Sequence, residues 1–133
     1  DVTIKVILDS NFLFIPSQFR IDVFEGLMNL LNQRFEPVLL SSTHQELRTM
    51  AEKGPSKRRK QALLALKLAE KCRLVNVEKE AEETNDDVIL RTAAQWKSPV
   101  ATNDRELRRK LRNRDIPVIF LRGKSRLEFE GSL

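Results

Sequence analysis

Five short apolar runs, the first of them rich in β-branched residues, constrain this 133-residue chain more than any other feature. They cover residues 3–8, 37–40, 74–77, 100–102 and 117–121. Each run is separated from the next by a segment that contains helical spacing or a capping signal. Strands that alternate with helices pair in parallel and are covered by helices on both faces. The sequence therefore predicts an α/β fold: a three-layer α/β/α sandwich around a central, mainly parallel sheet of five strands.

The segments between these runs carry the signals of helices. Apolar spacing predicts helices over residues 17–34, 56–72 and 85–96. A T-x-x-E capping pattern at Thr43 and Glu46 predicts a helix that reaches residue 53, and Asn103 repeats the pattern with Glu106 before a basic helix that reaches residue 112. The length fits one domain, since domains most often have about 100 to 150 residues, and we expect residues 1–122 to form it and residues 123–133 to form a polar tail.

Composition excludes several classes of protein. Cys72 is the only cysteine and His44 the only histidine, so neither an internal disulfide nor a Cys/His zinc site is expected. No apolar run approaches the roughly 20 residues that cross a bilayer, and no signal peptide is expected. These features predict a reducing, cytoplasmic setting. Because the sequence begins at Asp1 rather than Met, we expect that residues precede it in the protein.

Charge points to an anionic partner. The net charge is +5, and between Asp104 and Arg126 nine basic residues face three acids. The arginines at i, i+3, i+4 and i+7 of the last predicted helix share one face, which suits the phosphates of RNA. These residues are Arg105, Arg108, Arg109 and Arg112. A solvated basic face without a ligand is the alternative interpretation.

Acidic residues stand where predicted strands end or the following helices begin: Asp9, Glu46, the pair Asp86 and Asp87, and Asp104. In a parallel sheet these places share one edge, so the acids would be neighbours in space. Close like charges are unfavourable unless cations lie between them, and carboxylate oxygens suit Mg²⁺ or Mn²⁺. This pattern favours a metal-dependent phosphodiesterase. Helix capping is the alternative role for each acid that begins a helix.

Four segments of the chain resemble the PIN-domain ribonucleases. They are VILDSNFL (6–13), STHQEL (42–47), NDDVILRTA (85–93) and VATNDRELRRKLRNRDIPVIFLR (100–122). Within that family the pattern looks most like archaeal proteins close to the PIN nuclease of the eukaryotic small-subunit processome. The toxins of toxin–antitoxin pairs are more distant.

The resemblance implies which residues form the site. Asp9, Glu46, Asp86 and Asp104 would be the catalytic and metal-binding acids, holding Mg²⁺ or Mn²⁺. Asp86 is preferred to Asp87 because its spacing to Ile89 and Ala93 fits the family better. Asn11 and Thr102 match family positions that orient the acids or bound water.

The resemblance also implies an activity and partners. The chain would be a divalent-metal-dependent endoribonuclease that acts on RNA, in ribosomal RNA processing or, as the alternative, as a toxin. A homodimer, and a protein partner in ribosome assembly or an antitoxin, are the expected assemblies. An inactive RNA-binding module remains a rival, as does a phosphatase that uses Asp9 as nucleophile, although its usual second Asp is here Asn11.

Overall fold

The computed structural model describes residues 3–133, so the first two residues of the predicted domain lie outside the described part. Its strands are β1 (Ile4–Leu8), β2 (Phe35–Leu40), β3 (Arg73–Val75), β4 (Val100–Ala101), β5 (Val118–Arg122) and β6 (Arg126–Glu130). Its α-helices are α1 (Ile15–Phe19), α2 (Val23–Leu31), α3 (Ser41–Lys53), α4 (Ser56–Ala69), α5 (Asn85–Trp96) and α6 (Arg105–Asn113), and a 3-10 helix covers Ser10–Phe14. None of these helices is long and apolar enough to cross a membrane.

All six strands form one sheet in the order β3-β2-β1-β4-β5-β6. The first five are parallel, and β6 runs antiparallel to β5. The predicted α/β sandwich with a mainly parallel sheet is therefore confirmed. The predicted number of five strands is wrong, because residues assigned to the polar tail form β6. Only Leu127 and Phe129 alternate as apolar residues there, which is too short a pattern to indicate a strand from sequence.

Alternate residues of the central strands serve two separate cores. Val6 and Leu8 of β1 face a core formed with α1, α2, α3 and α4. Ile7, between them, faces a second core formed with α5 and α6. This two-residue alternation is the pleat of a strand that is buried on both faces. The helices therefore cover both sides of the sheet and leave its carboxyl edge open.

The helix predicted over residues 17–34 is two helices. Arg20 ends α1 with a left-handed backbone, at a φ of 55°, and Asp22 caps α2 by accepting from the amides of Phe24 and Glu25. Apolar spacing continued across this break, so periodicity alone predicted one helix. The helix predicted to end at residue 72 ends at Ala69 instead.

Candidate active site at the carboxyl edge of the sheet

The acids gather where the strand order changes direction. The chain moves from β1 through β2 to β3 on one side, then crosses to β4 on the other side of β1. Leu8 pairs with Ala101 at the ends of β1 and β4, and the amide of Asp9 donates to the Ala101 carbonyl at 2.9 Å. Ligands of open α/β sheets bind outside the carboxyl ends of the strands at such a point.

The four predicted acids line one cleft of about 360 Å³ at this point. Asp9, Glu46, Asp86 and Asp104 come from four different segments of the chain, and Ser10, Asn11 and Asn85 complete much of the wall. A larger cavity of about 910 Å³ lies at the opposite edge, beside Lys5, Trp96 and Arg114. Among its described lining residues Asp115 is the only acid, so the smaller cleft is the candidate site.

Asp9 is the most deeply buried of the four acids. It is 3% exposed, and this burial is the main reason that its pKa is raised from 3.8 to about 6. Hydrogen bonds from Thr102 and the Ser10 amide oppose the rise, whereas the charges of Asp86 and Glu46 add to it. Asp9 also caps the 3-10 helix, because the Ser10 amide donates to its Oδ1 at 2.8 Å.

Thr102 and Asn11 fix the orientation of Asp9. The Thr102 hydroxyl donates to Asp9 Oδ2 at 2.7 Å and accepts from the Asp104 amide at 3.1 Å. The Asn11 amide nitrogen also donates to Asp9 Oδ2, at 3.1 Å, while its oxygen accepts from the Asn103 amide. Both side chains join the end of β1 to the turn after β4. They therefore hold Asp9 in a fixed position relative to the turn that carries Asp104.

Glu46 reaches the cleft from inside α3. That helix begins at Ser41, so the predicted capping box of Thr43 with Glu46 is wrong. Thr43 instead donates to Asn85 Oδ1 at 3.0 Å, a partner 42 residues away that local sequence does not reveal. Glu46 accepts from the Ser10 hydroxyl at 2.7 Å, which holds the carboxylate towards Asp9. Ser10 is not among the site residues predicted from the sequence.

The neighbouring acids Asp86 and Asp87 have different surroundings. Asp87 forms a capping box with Thr84, whose amide donates to Asp87 Oδ2 at 2.9 Å, and these bonds lower its pKa. Asp86 lines the cleft. Burial raises the pKa of Asp86, and the charges of Asp104 and Glu46 raise it further. The structure therefore puts Asp86, and not Asp87, among the clustered acids.

Asp104 caps a helix and also lines the cleft. Its Oδ1 accepts from the Leu107 amide at 3.0 Å and caps α6, so the cap predicted for Asn103 with Glu106 is wrong. Asn103 uses its side-chain oxygen to accept from the Leu121 amide at 2.8 Å, which ties the turn after β4 to β5. The carboxylate of Asp104 contributes to the wall of the cleft through this rigid turn.

The chemistry of the cleft suits a hydrated divalent cation. Within residues 3–133 no group of three Asp, Glu, His or Cys side chains closes around one point as a complete ligand set. Mg²⁺ does not require one, since it usually takes one or two carboxylates, several waters and a substrate phosphate. Burial raises the pKa of Asp9 and Asp86, and repulsion from the neighbouring carboxylates raises both further, so the charged forms are disfavoured here. A cation would relieve this repulsion.

The four predicted RNA-binding arginines have different surroundings in the structure. Arg105 and Arg108 line a depression beside the acidic cleft. Arg109 forms an ion pair with Glu106, and Arg112 donates to the Ile116 carbonyl at 3.2 Å and lies 3.8 Å from a Glu130 oxygen. The depression also contains Phe120 and Arg122, which sequence analysis did not assign to the site.

The chain is similar to known proteins over most of its length. The sequence model of a family described as a PIN like domain matches residues 6–124, which include all four acids. The chain belongs to this family. The PIN domain is also 32% identical over 128 residues to Ribonuclease VapC4 of Methanocaldococcus jannaschii, covering 96% of this chain and 97% of that protein.

Two further relatives extend the comparison. The PIN domain is 30% identical over 124 residues to Ribonuclease VapC9 of Archaeoglobus fulgidus, covering 93% of this chain and 87% of the relative. Among solved structures, it resembles the PIN domain endonuclease Utp24 with a TM-score of 0.79 and 28% identity. That match covers 97% of this chain and 92% of the other. The family predicted from sequence is thus confirmed.

Proposed function

We propose that this PIN domain is an endoribonuclease that hydrolyses RNA phosphodiester bonds with the help of Mg²⁺ or Mn²⁺. The observation that carries the proposal is the convergence of Asp9, Glu46, Asp86 and Asp104 on one cleft, next to an arginine-lined depression. The relatives named as ribonucleases and the likeness to an endonuclease support the same activity.

The residues of the cleft would have different roles in the reaction. Divalent ions bound there would lower the pKa of attacking water and offset the charge that develops on the phosphate. Asp9, oriented by Thr102 and Asn11, and Asp104 would hold one ion, with Asp86 beside them. Glu46, oriented by Ser10, would serve the leaving-group side. In-line attack by water leaves a 5′-phosphate and a 3′-hydroxyl, and no histidine base is required.

Cleavage of labelled single-stranded RNA tests this activity. We expect cutting with Mg²⁺ or Mn²⁺, no cutting with chelator, and products with 5′-phosphates. Asp104→Asn should lose activity but keep its fold, since Asn is as good a helix cap as Asp. Asp115→Asn, an exposed change at the opposite edge of the sheet, is the matched control and should cut normally. Cleavage that survives chelation, or that survives Asp104→Asn, would sink the mechanism.

Two biological roles fit the same chemistry. The sequence resemblance to PIN nucleases of the small-subunit processome favours processing of ribosomal RNA, with a partner in ribosome assembly. The resemblance to toxin-type PIN nucleases supplies the second candidate, a toxin that an antitoxin restrains. Site-specific cutting of precursor ribosomal RNA by the purified protein supports the first role. Growth arrest on expression, without such cutting, supports the second. Salt-sensitive RNA binding with no cutting in any metal would instead identify an inactive binding module.

A further inference from the structure

A basic depression of about 340 Å³ begins one residue away from the acidic cleft. Its polar lining comes from Asn103 and Arg105 on either side of Asp104, from Arg108 on α6, and from Arg122 at the end of β5. We propose that this depression, named here the arginine subsite, binds the backbone phosphate next to the scissile one in the RNA strand. The inference rests on the proposed function and gives its substrate a defined path.

Phe120 organises the arginines of the subsite. The ring is 4% exposed, and the guanidinium carbons of Arg108 and Arg122 lie 4.1 and 5.1 Å from its centroid. A guanidinium that packs on an aromatic face keeps its N–H donors available at the edge of its plane. Two guanidiniums on one ring concentrate positive charge in the depression, which a bound phosphate would offset. The arrangement therefore favours an anion with oxygens for several donors.

Few carboxylates neutralise these arginines. Among residues 3–133, neither Arg105 nor Arg108 has a carboxylate oxygen within 4.0 Å. Arg122 donates from Nε to Glu128 at 2.7 Å, and Glu128 also pairs with Arg126. Ion pairs at the protein surface contribute little to binding or stability, so Glu128 competes weakly with a phosphate. Arg109, in contrast, is already paired with Glu106.

The subsite has a fixed position relative to the acids. Asn103 donates from its backbone to Asn11, which also contacts Asp9, and accepts from the Leu121 amide beside Arg122. The same turn carries Asp104 and Arg105. A phosphate held by the arginines would thus be placed at a set distance from a phosphate at the acids, as successive phosphates of one strand require. A strand, rather than a free phosphate ion, is the ligand that spans both sites.

Binding measured without cleavage tests the subsite on its own. The full chain, kept in chelator, is titrated into fluorescent single-stranded RNA at several salt concentrations. We expect Arg108→Gln with Arg122→Gln to weaken binding about tenfold or more, and to reduce the slope of log affinity against log salt by about 1.4 for two lost contacts. The control pair, Arg48→Gln with Arg114→Gln, removes the same charge from exposed positions elsewhere and should change binding little.

Two further arms separate the possible results. Arg108→Lys with Arg122→Lys keeps the charge but loses planar stacking, so its affinity for RNA should lie between those of the wild type and the Gln pair. If the Gln pair fails to fold, the Lys pair takes its place in the comparison. Inorganic phosphate should displace RNA only at far higher concentration than a competing oligonucleotide does. Displacement by both at similar concentration would contradict binding of a strand and indicate a free-phosphate site.

The outcomes distinguish this inference from the proposed function. Normal cleavage together with unchanged RNA affinity in the Gln pair would overturn the subsite alone. Equal losses in the Gln pair and the control pair would also overturn it, as a general effect of charge. Specific loss of binding in a protein that never cuts RNA would support the subsite and contradict the nuclease.

Discussion

Asp9 shows most clearly how burial and function compete at a single residue. Its carboxyl is 3% exposed, and its pKa of about 6 exceeds the value of 3.8 that an exposed aspartate has. Between these two values the folded chain holds a proton that the unfolded chain has released. Stability therefore falls as the pH rises from about 4 to about 6, and stays lower above that. The charged form is disfavoured until a cation compensates it.

This linkage predicts the effect of Asp9→Asn on stability. In chelator, the stability of the variant relative to the wild type should be greater at pH 7 than at pH 4. The difference between their free energies of unfolding should change by up to about 3 kcal/mol. Urea denaturation of both proteins at both pH values measures it. The comparison across pH cancels the packing effects of the substitution. An identical difference at pH 4 and pH 7 would show that Asp9 titrates normally.

Thr102 provides a second prediction at this scale, because its hydroxyl bonds to Asp9 and to the Asp104 amide. Thr102→Val removes both bonds with little change of volume. We expect kcat to fall about 10- to 100-fold, as for other outer-sphere partners of metal ligands. The acidic limb of the pH–rate profile should move to higher pH, because the Thr102 bond lowers the pKa of Asp9.

Thr102→Ser is the control for that experiment, since it keeps the hydroxyl. It should restore the wild-type position of the acidic limb. If the Ser and Val variants share one pH profile, Thr102 acts through packing alone.

The elements differ in how far sequence predicted them. The parallel strands and α5 follow from local signals, such as the capping box of Thr84 with Asp87. The sequence also placed the four acids at one edge, because carboxyl ends of parallel strands meet there. It did not predict that Thr43 would bond to Asn85, or that Asp104 rather than Asn103 would cap α6, because several residues in each segment are chemically able to cap.

The strand β6 leads to a prediction about the C-terminal segment. Leu127 and Phe129 are half-buried against the core beside α1, α2, α3 and α4, and β6 covers the edge of β5. A chain that ends at Lys124 should lose about 2 to 4 kcal/mol of stability, from burial of these two side chains.

Thermal or urea unfolding measures this loss. The control chain ends at Glu130, so it keeps β6 and should unfold like the full chain. Equal midpoints for the two truncated chains would show that residues 125–130 act only as a tail.

The whole molecule places its acidic and basic side chains in two neighbouring regions. A chain with a net charge of +5 concentrates carboxylates in one cleft and arginines in the depression beside it. The first arrangement suits cations and the second suits phosphates, so together they fit a polyanion with its counterions. Sequence indicated both groups and that the arginines of α6 begin beside Asp104, but it did not indicate that Phe120 and Arg122 of β5 join them, which depends on the strand order. That order is set by packing between distant segments.

Titration of Mn²⁺ into the protein, followed by calorimetry, is the most direct test of the claim that the carboxylates of the cleft together bind a divalent cation. The matched variants are Asp86→Asn, which changes a residue of the cleft, and Asp87→Asn, which changes its neighbour in the capping box. The wild type and Asp87→Asn should take up the ion with similar affinity, whereas Asp86→Asn should lose most of it. No uptake by the wild type, or equal affinities for the two variants, would contradict the site described here.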